Sequence, residues 1–272
     1  MNQPAIAAED FIHTGYVVAD HVATITLNRP EVRNALNYRA YDELEAAFRL
    51  ASASTQVRCV IVTGADPAFC SGDDVRAIMT EEANRARASR VDAGTLRPTP
   101  AAMAALACDC PVIAAVNGAA VGWGMELALF ADIRIASERA KFAELFIKRG
   151  LVCDVGGFYR LPEIVGPAMA AQLLFTGDVI DATQAQKIGL VTDVVPHQEL
   201  LPRAEELAAR IAANPPLALR AMKQGLRRAR GADAKETGRW AIETIYRLMQ
   251  TEDHREGVAS FLERRPPVFR GI

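Results

Sequence analysis

Long apolar runs are missing from this 272-residue chain, although 50% of its residues are hydrophobic. No stretch reaches the roughly 20 apolar residues that cross a bilayer, so no membrane association is expected. The segment Met1 to Asp10 lacks a basic start followed by an apolar stretch and carries Glu9 and Asp10, so it does not read as a secretory signal. Cysteines are few and odd in number: Cys59, Cys70, Cys108, Cys110 and Cys153 are scattered along the chain. That argues against a secreted disulfide framework and for a reducing compartment, with the cytoplasm as the expected location. Charge of one sign is also lacking, since 31 Lys and Arg nearly cancel 33 Asp and Glu. The longest basic tract is Arg227-Arg228-Ala229-Arg230, too short for an electrostatic case for nucleic acid. His13, His21, His197 and His254 stand apart, outside any nucleophile or zinc spacing. No metal is therefore expected, and Cys108 and Cys110 read as buried thiols.

What is present is enough hydrophobic sequence to bury a sizeable core. Two β-rich runs between Gly15 and Asn28 flank Ala19-Asp20-His21, the pattern of a hairpin. Tyr41, Leu44, Ala47 and Phe48 recur at helical spacing between Tyr38 and Ala51, and Arg58 to Thr63 is a compact apolar run stopped by Gly64. Thr80 to Thr99 is rich in Ala, Arg and Glu and reads as a solvated helical insertion. Pro111 to Val116 is a strand, Asn117-Gly118 turns it, and Trp123 to Phe130 begins a helix after a glycine cluster. Short strands follow at Asp132 to Ala136 and Ala140 to Ala143, then a Gly-rich loop at Val155-Gly156-Gly157. Beyond about Pro202 only helical patterns remain, over Arg203 to Ala213, Pro216 to Arg230, Lys235 to Gln250 and Glu252 to Arg264. The alternation predicts an α/β or spiral ββα architecture. The division expected is a spiral core over 1–200 and a C-terminal helical region over 201–272 that completes the core and packs on neighbouring subunits.

Two stretches carry candidate chemistry. Asp66 to Val75 follows a buried strand and holds Gly72 inside a turn, which can aim backbone N–H groups near Asp73 at a ligand. It also fits a plain strand-to-helix connection capped by Asp73 or Asp74. Asn117 to Leu127 places N–H groups at a helix start, and equally fits a tight turn; its glycine spacing lacks the third glycine of a dinucleotide fingerprint.

Together, in this order and separation, Phe69-Cys-Ser-Gly-Asp-Asp-Val75 and Pro111 to Gly124 resemble the signature of the enoyl-CoA hydratase/isomerase (crotonase) superfamily. Arg29 to Leu36, Gly150 to Gly157 and Asp253 to Pro267 extend the likeness over nearly the whole chain. The resemblance implies a crotonase-like ββα spiral core with a C-terminal helical region, and a homotrimer or dimer of trimers. It also implies an acyl-CoA thioester substrate with no separate cofactor, coenzyme A being part of the substrate. Carried over by position, the oxyanion-hole donors are the backbone N–H groups of Asp73 and Trp123. Glycine is usual at the second position, so the Trp123 indole is expected to line or narrow the acyl pocket, with Phe146 and Phe158. Coenzyme A falls to Val32, Arg33, Ala35, Ser71, Asp74, Val75, Phe261 and Arg264, although Arg264 also fits a solvated surface cation.

The carboxylates select the reaction. Relatives that hydrate use two glutamates; Glu126 matches the first, and Phe146 falls at the second. Glu144, two residues away, substitutes only if the register slips. Asp154 matches an aspartate of isomerase-like, hydrolase-like and dehalogenase-like relatives. Glu126 and Asp154 are therefore the catalytic candidates, with isomerisation preferred to hydration of an unsaturated acyl-CoA. Without the resemblance they read as a helix-face residue and a loop cap. Thioester hydrolysis or dehalogenation through Asp154 is the alternative, and a non-catalytic acyl-CoA binder is the alternative of another class.

Overall fold

A computed structural model describes residues 6–78 and 98–272. The expected helical insertion, apart from Pro98 and Thr99, lies outside the described residues. The hairpin forms as β1 (Thr14–Ala19) and β2 (Val22–Leu27), paired antiparallel from Thr14↔Leu27 to Ala19↔Val22. Its two turn residues, Asp20 and His21, both have positive φ (47° and 66°), as a two-residue turn matched to strand twist requires.

Beyond the hairpin, β2 continues through parallel pairing into β3 (Cys59–Gly64), β5 (Val112–Val116), β7 (Ile133–Ser137) and β10 (Asp193–Val195), giving a six-stranded sheet in the order β1-β2-β3-β5-β7-β10. A second sheet of four short strands runs β4 (Ala68–Cys70), β6 (Ala119–Val121), β8 (Lys141–Ala143) and β9 (Ile180–Asp181). Thus β3, β5 and β7 are each followed by a strand of the second sheet and then by a helical turn, which makes a ββα spiral.

The apolar runs of β3 and β5 follow from burial on both faces. Val60 and Val62 point into the larger core with the helix Tyr38–Ala53, whereas Cys59 and Ile61 point into a smaller one. The helix Leu200–Ala212 closes the smaller core through Leu200, Ala204 and Ala208. Three more helices follow, Pro216–Ala229, Ala234–Leu248 and Glu252–Glu263. All five cysteines are buried and unpaired by disulfides. Among the described residues no helix is long and apolar enough to cross a membrane.

One local expectation is corrected. Val155-Gly156-Gly157 is no loop: Gly156–Arg160 forms a wide helical turn that runs into the helix Leu161–Val165. These glycines serve close approach, since a Cβ on Gly156 would lie 2.6 Å from Glu126 Cβ. Of the second sheet only β8 is expected from the sequence, at Ala140 to Ala143; β4, β6 and β9, of two or three residues, are too short to show a period.

Candidate active site

The two glycine-bearing loops meet. Leu36 pairs with Asp73 as an isolated bridge, with the Leu36 N–H donating to Gly72 O at 2.8 Å and the Asp74 N–H donating to Leu36 O at 2.9 Å. In such a bridge the N–H of the middle residue, Asp73, faces away from Leu36. Gly72 has φ +88°, and a Cβ there would lie 2.7 Å from Val121 O and 3.4 Å from Trp123 N. Only glycine accepts both that backbone conformation and that approach. Trp123 is the first residue of the helix Trp123–Phe130, so its N–H has no partner within the helix. Gly72, Asp73, Gly122, Trp123 and Phe146 line one narrow cavity of about 40 Å³. That holds little more than one small group such as a carbonyl oxygen.

Side chains brace this geometry. The Tyr41 hydroxyl donates to Asp73 Oδ1 at 2.5 Å, and burial, then the Asp73 charge, raises the tyrosine's pKa. Asn34, buried at φ +56°, accepts from the Arg29 N–H and donates to Ala65 O and Ala68 O. Arg29 pairs with Asp74 at 3.0 Å and donates to Ala35 O.

Glu126 sits in the first turn of the Trp123–Phe130 helix, 0% exposed. Its Oε1 accepts the Gly157 N–H at 3.1 Å, and its Oε2 has no hydrogen-bond partner. Burial pushes its carboxyl up to about 8; the Gly157 amide opposes this and the Asp154 charge adds to it. Asp154 is held at both oxygens, Oδ2 accepting from the Thr99 hydroxyl at 2.6 Å and Oδ1 from the Val155 N–H at 2.8 Å.

A third carboxylate joins them. Glu144 is 1% exposed, and neither of its oxygens has a hydrogen-bond partner. Burial, then the charge of Glu126, raises its carboxyl well above the ordinary range. The Cys153 thiol, pushed up to about 12 by burial and then by Glu144 and Glu126, lies within reach of both charges. The register that puts Phe146 at the second glutamate position left Glu144 aside. Its signal was a lone carboxylate ending the apolar strand Lys141–Ala143.

The expected coenzyme A positions divide into two groups. Val32, Arg33, Ala35, Ser71, Asp74 and Val75 share one patch: the Ser71 N–H donates to Arg33 O at 3.1 Å and its hydroxyl to Val32 O at 3.3 Å. The Asp74 carboxylate is also a helix cap, accepting from the Ala77 N–H. Phe261 and Arg264 do not join them within this chain. They end the last helix, whose following tail meets Arg58 Nη2 through Phe269 O at the start of β3, while the Ser71 loop follows the opposite end of that strand.

One pocket expectation changes. Phe158 is 60% exposed and does not line the cavity, because the helical turn that replaces the expected loop points it outward. The Trp123 indole packs edge-on against Tyr41 and Phe130, with ring centroids at 4.7 and 5.7 Å, so the residue that lines the cavity is also anchored in the core. Phe146 lines the cavity, its ring tip 3.8 Å from where a Gly122 Cβ would sit.

A sequence model of the family described as enoyl-CoA hydratase/isomerase matches residues 18–271. The chain is similar to the 2,3-dehydroadipyl-CoA hydratase of Escherichia coli K12, 38% identical over 92% of this chain and 95% of that protein. It is 37% identical to the crotonyl-CoA hydratase of Syntrophomonas wolfei, over 92% of this chain and 95% of that one. Among solved structures, an enoyl-CoA hydratase from Bacillus anthracis superposes with a TM-score of 0.87 at 32% identity, covering 96% of this chain and 100% of that one.

Proposed function

This chain belongs to the enoyl-CoA hydratase/isomerase family, and we propose that it forms the enolate of an unsaturated acyl-CoA. The backbone N–H groups of Asp73 and Trp123 receive the thioester oxygen, and Glu126 moves the proton. The observation that carries this is the position of Glu126: fully buried, one oxygen fixed by Gly157, one oxygen without a partner, one turn after the Trp123 N–H. Burial keeps its pKa at about 8, where a carboxyl both gives and takes a proton near neutrality. Two N–H donors aimed at a developing oxyanion supply stabilisation that the ground state does not need.

Water addition and double-bond migration share this enolate; the second proton carrier separates them. For migration that carrier is Asp154, and the observation favouring it is that the Asp154 charge acts on Glu126. Assembly as a homotrimer or dimer of trimers completes the proposal by family likeness. The test is incubation with crotonyl-CoA, a 3-enoyl-CoA and 2,3-dehydroadipyl-CoA in deuterated water, followed by mass and thioester absorbance. Deuterium uptake next to the carbonyl, with or without gain of water, is the expected result. Release of free thiol without such uptake would sink the enolate reading in favour of hydrolysis.

A further inference from the structure

Buried carboxylates in this fold that serve structure alone are tied down at both oxygens. Glu43, 0% exposed, accepts from the Ile12 and His13 amides and from Arg39. Glu144 is as deeply buried and has none of this. It follows directly on β8, where Ala143 pairs with Val121 of β6 and accepts the Gly122 N–H at 2.8 Å; Gly122 in turn accepts the Glu126 N–H. The two glutamates therefore spring from adjoining backbone, and three of their four oxygens lack a protein donor. Burying such oxygens unmet is costly, so they call for protons and for the O–H groups of a reactant.

We propose that Glu144 is the second proton carrier of this site, acting with Glu126 to add water across the double bond of an unsaturated acyl-CoA. This rests on the enolate function proposed above. The groups that face the pair are Asp154 and Cys153 from the segment before the Gly156 turn and Tyr41 from the first long helix. Lys148 and Arg149, on the turn after Glu144, are exposed. With rising pH Glu126 ionises first while Glu144 keeps its proton, because the Glu126 charge then disfavours a second one. Glu126 is thus the base and Glu144 the acid. Glu126 takes a proton from water, the water oxygen bonds to the β-carbon, and the double-bond electrons move to the thioester oxygen. The enolate then collapses as its α-carbon takes the Glu144 proton. Return of a proton from Glu126 to Glu144 restores the pair, so the net change is one water added.

The experiment is an infrared titration of the protonated-carboxyl band in wild type, Glu144→Gln and Glu126→Gln, beside hydration of crotonyl-CoA and 2,3-dehydroadipyl-CoA. In the wild type a protonated carboxyl persists after Glu126 has ionised. Glu144→Gln abolishes that band, and Glu126→Gln moves its titration to lower pH. Hydration by Glu144→Gln falls about 100- to 10,000-fold. Glu144→Asp, which keeps the acid, retains the band with reduced hydration and separates chemistry from a folding defect. Wild-type hydration in Glu144→Gln, or an unchanged high-pH band, overturns the proposal. A wild type that exchanges α-protons without adding water also overturns it, yet leaves the enolate function standing; no exchange and no addition overturns both.

Discussion

The Gly157 amide donates to Glu126 Oε1 at 3.1 Å, in a turn so crowded that Gly156 has no room for a methyl group against Glu126 and Gly157 none against Cys153. One oxygen of the carboxylate is thereby fixed and the other has no hydrogen-bond partner.

That closeness makes the glycines sensitive. Gly156→Ala puts a Cβ 2.6 Å from Glu126 Cβ, an overpacking that costs about 1–3 kcal/mol. Thermal denaturation is expected to show the loss, and turnover of an enoyl-CoA to fall more than binding, because Glu126 moves.

Glu126→Gln is expected to lower turnover about 100- to 10,000-fold while an acyl-CoA still binds, measured by steady-state kinetics and calorimetry. Stability should respond in the opposite sense. The folded pKa of Glu126 is raised from 4.5 to about 8, so its contribution is complete below pH 4.5 and is lost as pH rises through 8. Wild type should therefore lose stability relative to Glu126→Gln between pH 5 and 9, by a few kcal/mol at most. Parallel melting curves across that range would refute the buried, protonated carboxyl.

Activity should follow the same group. With Glu126 as base, kcat/KM is expected to rise through about pH 8 toward a plateau, and a profile flat from pH 6 to 9 would assign the base elsewhere.

Gly72→Ala tests the oxyanion arrangement. Its φ of +88° and the 2.7 Å approach to Val121 O leave no room for Cβ, so the Asp73 and Trp123 amides separate. Loss of one donor costs about 100- to 1000-fold in kcat, and circular dichroism should show the fold retained.

Tyr41→Phe removes the hydroxyl that donates to Asp73 Oδ1 at 2.5 Å. A hydrogen bond to a charged group contributes about 1.5–3 kcal/mol, so a lower denaturation midpoint is expected together with a reduced kcat.

The hairpin, the long helices and the double-faced strands were legible because each announces itself locally, through a period of two or 3.6 or through turn residues. Glu126 and the Gly72 turn were legible for the same reason, standing in short contiguous motifs. Phe158 was misplaced because two adjacent glycines look alike whether they bend a loop or admit a neighbour, and here Gly156 admits the helix that carries Glu126 and Gly157 the Cys153 side chain. Phe261 and Arg264 were grouped with Ser71 by resemblance, yet the tail beyond them docks at Arg58, at the other end of β3.

Sequence alone therefore determined the family, the spiral of strands and helices, and the two backbone loops that meet at Trp123, since all of these rest on neighbours in the chain. Only the tertiary structure decided which carboxylates face one another. Glu144 looks like any glutamate beside an apolar strand until β6 and β8 pair; then burial by segments distant in sequence strips its water and sets it beside Glu126.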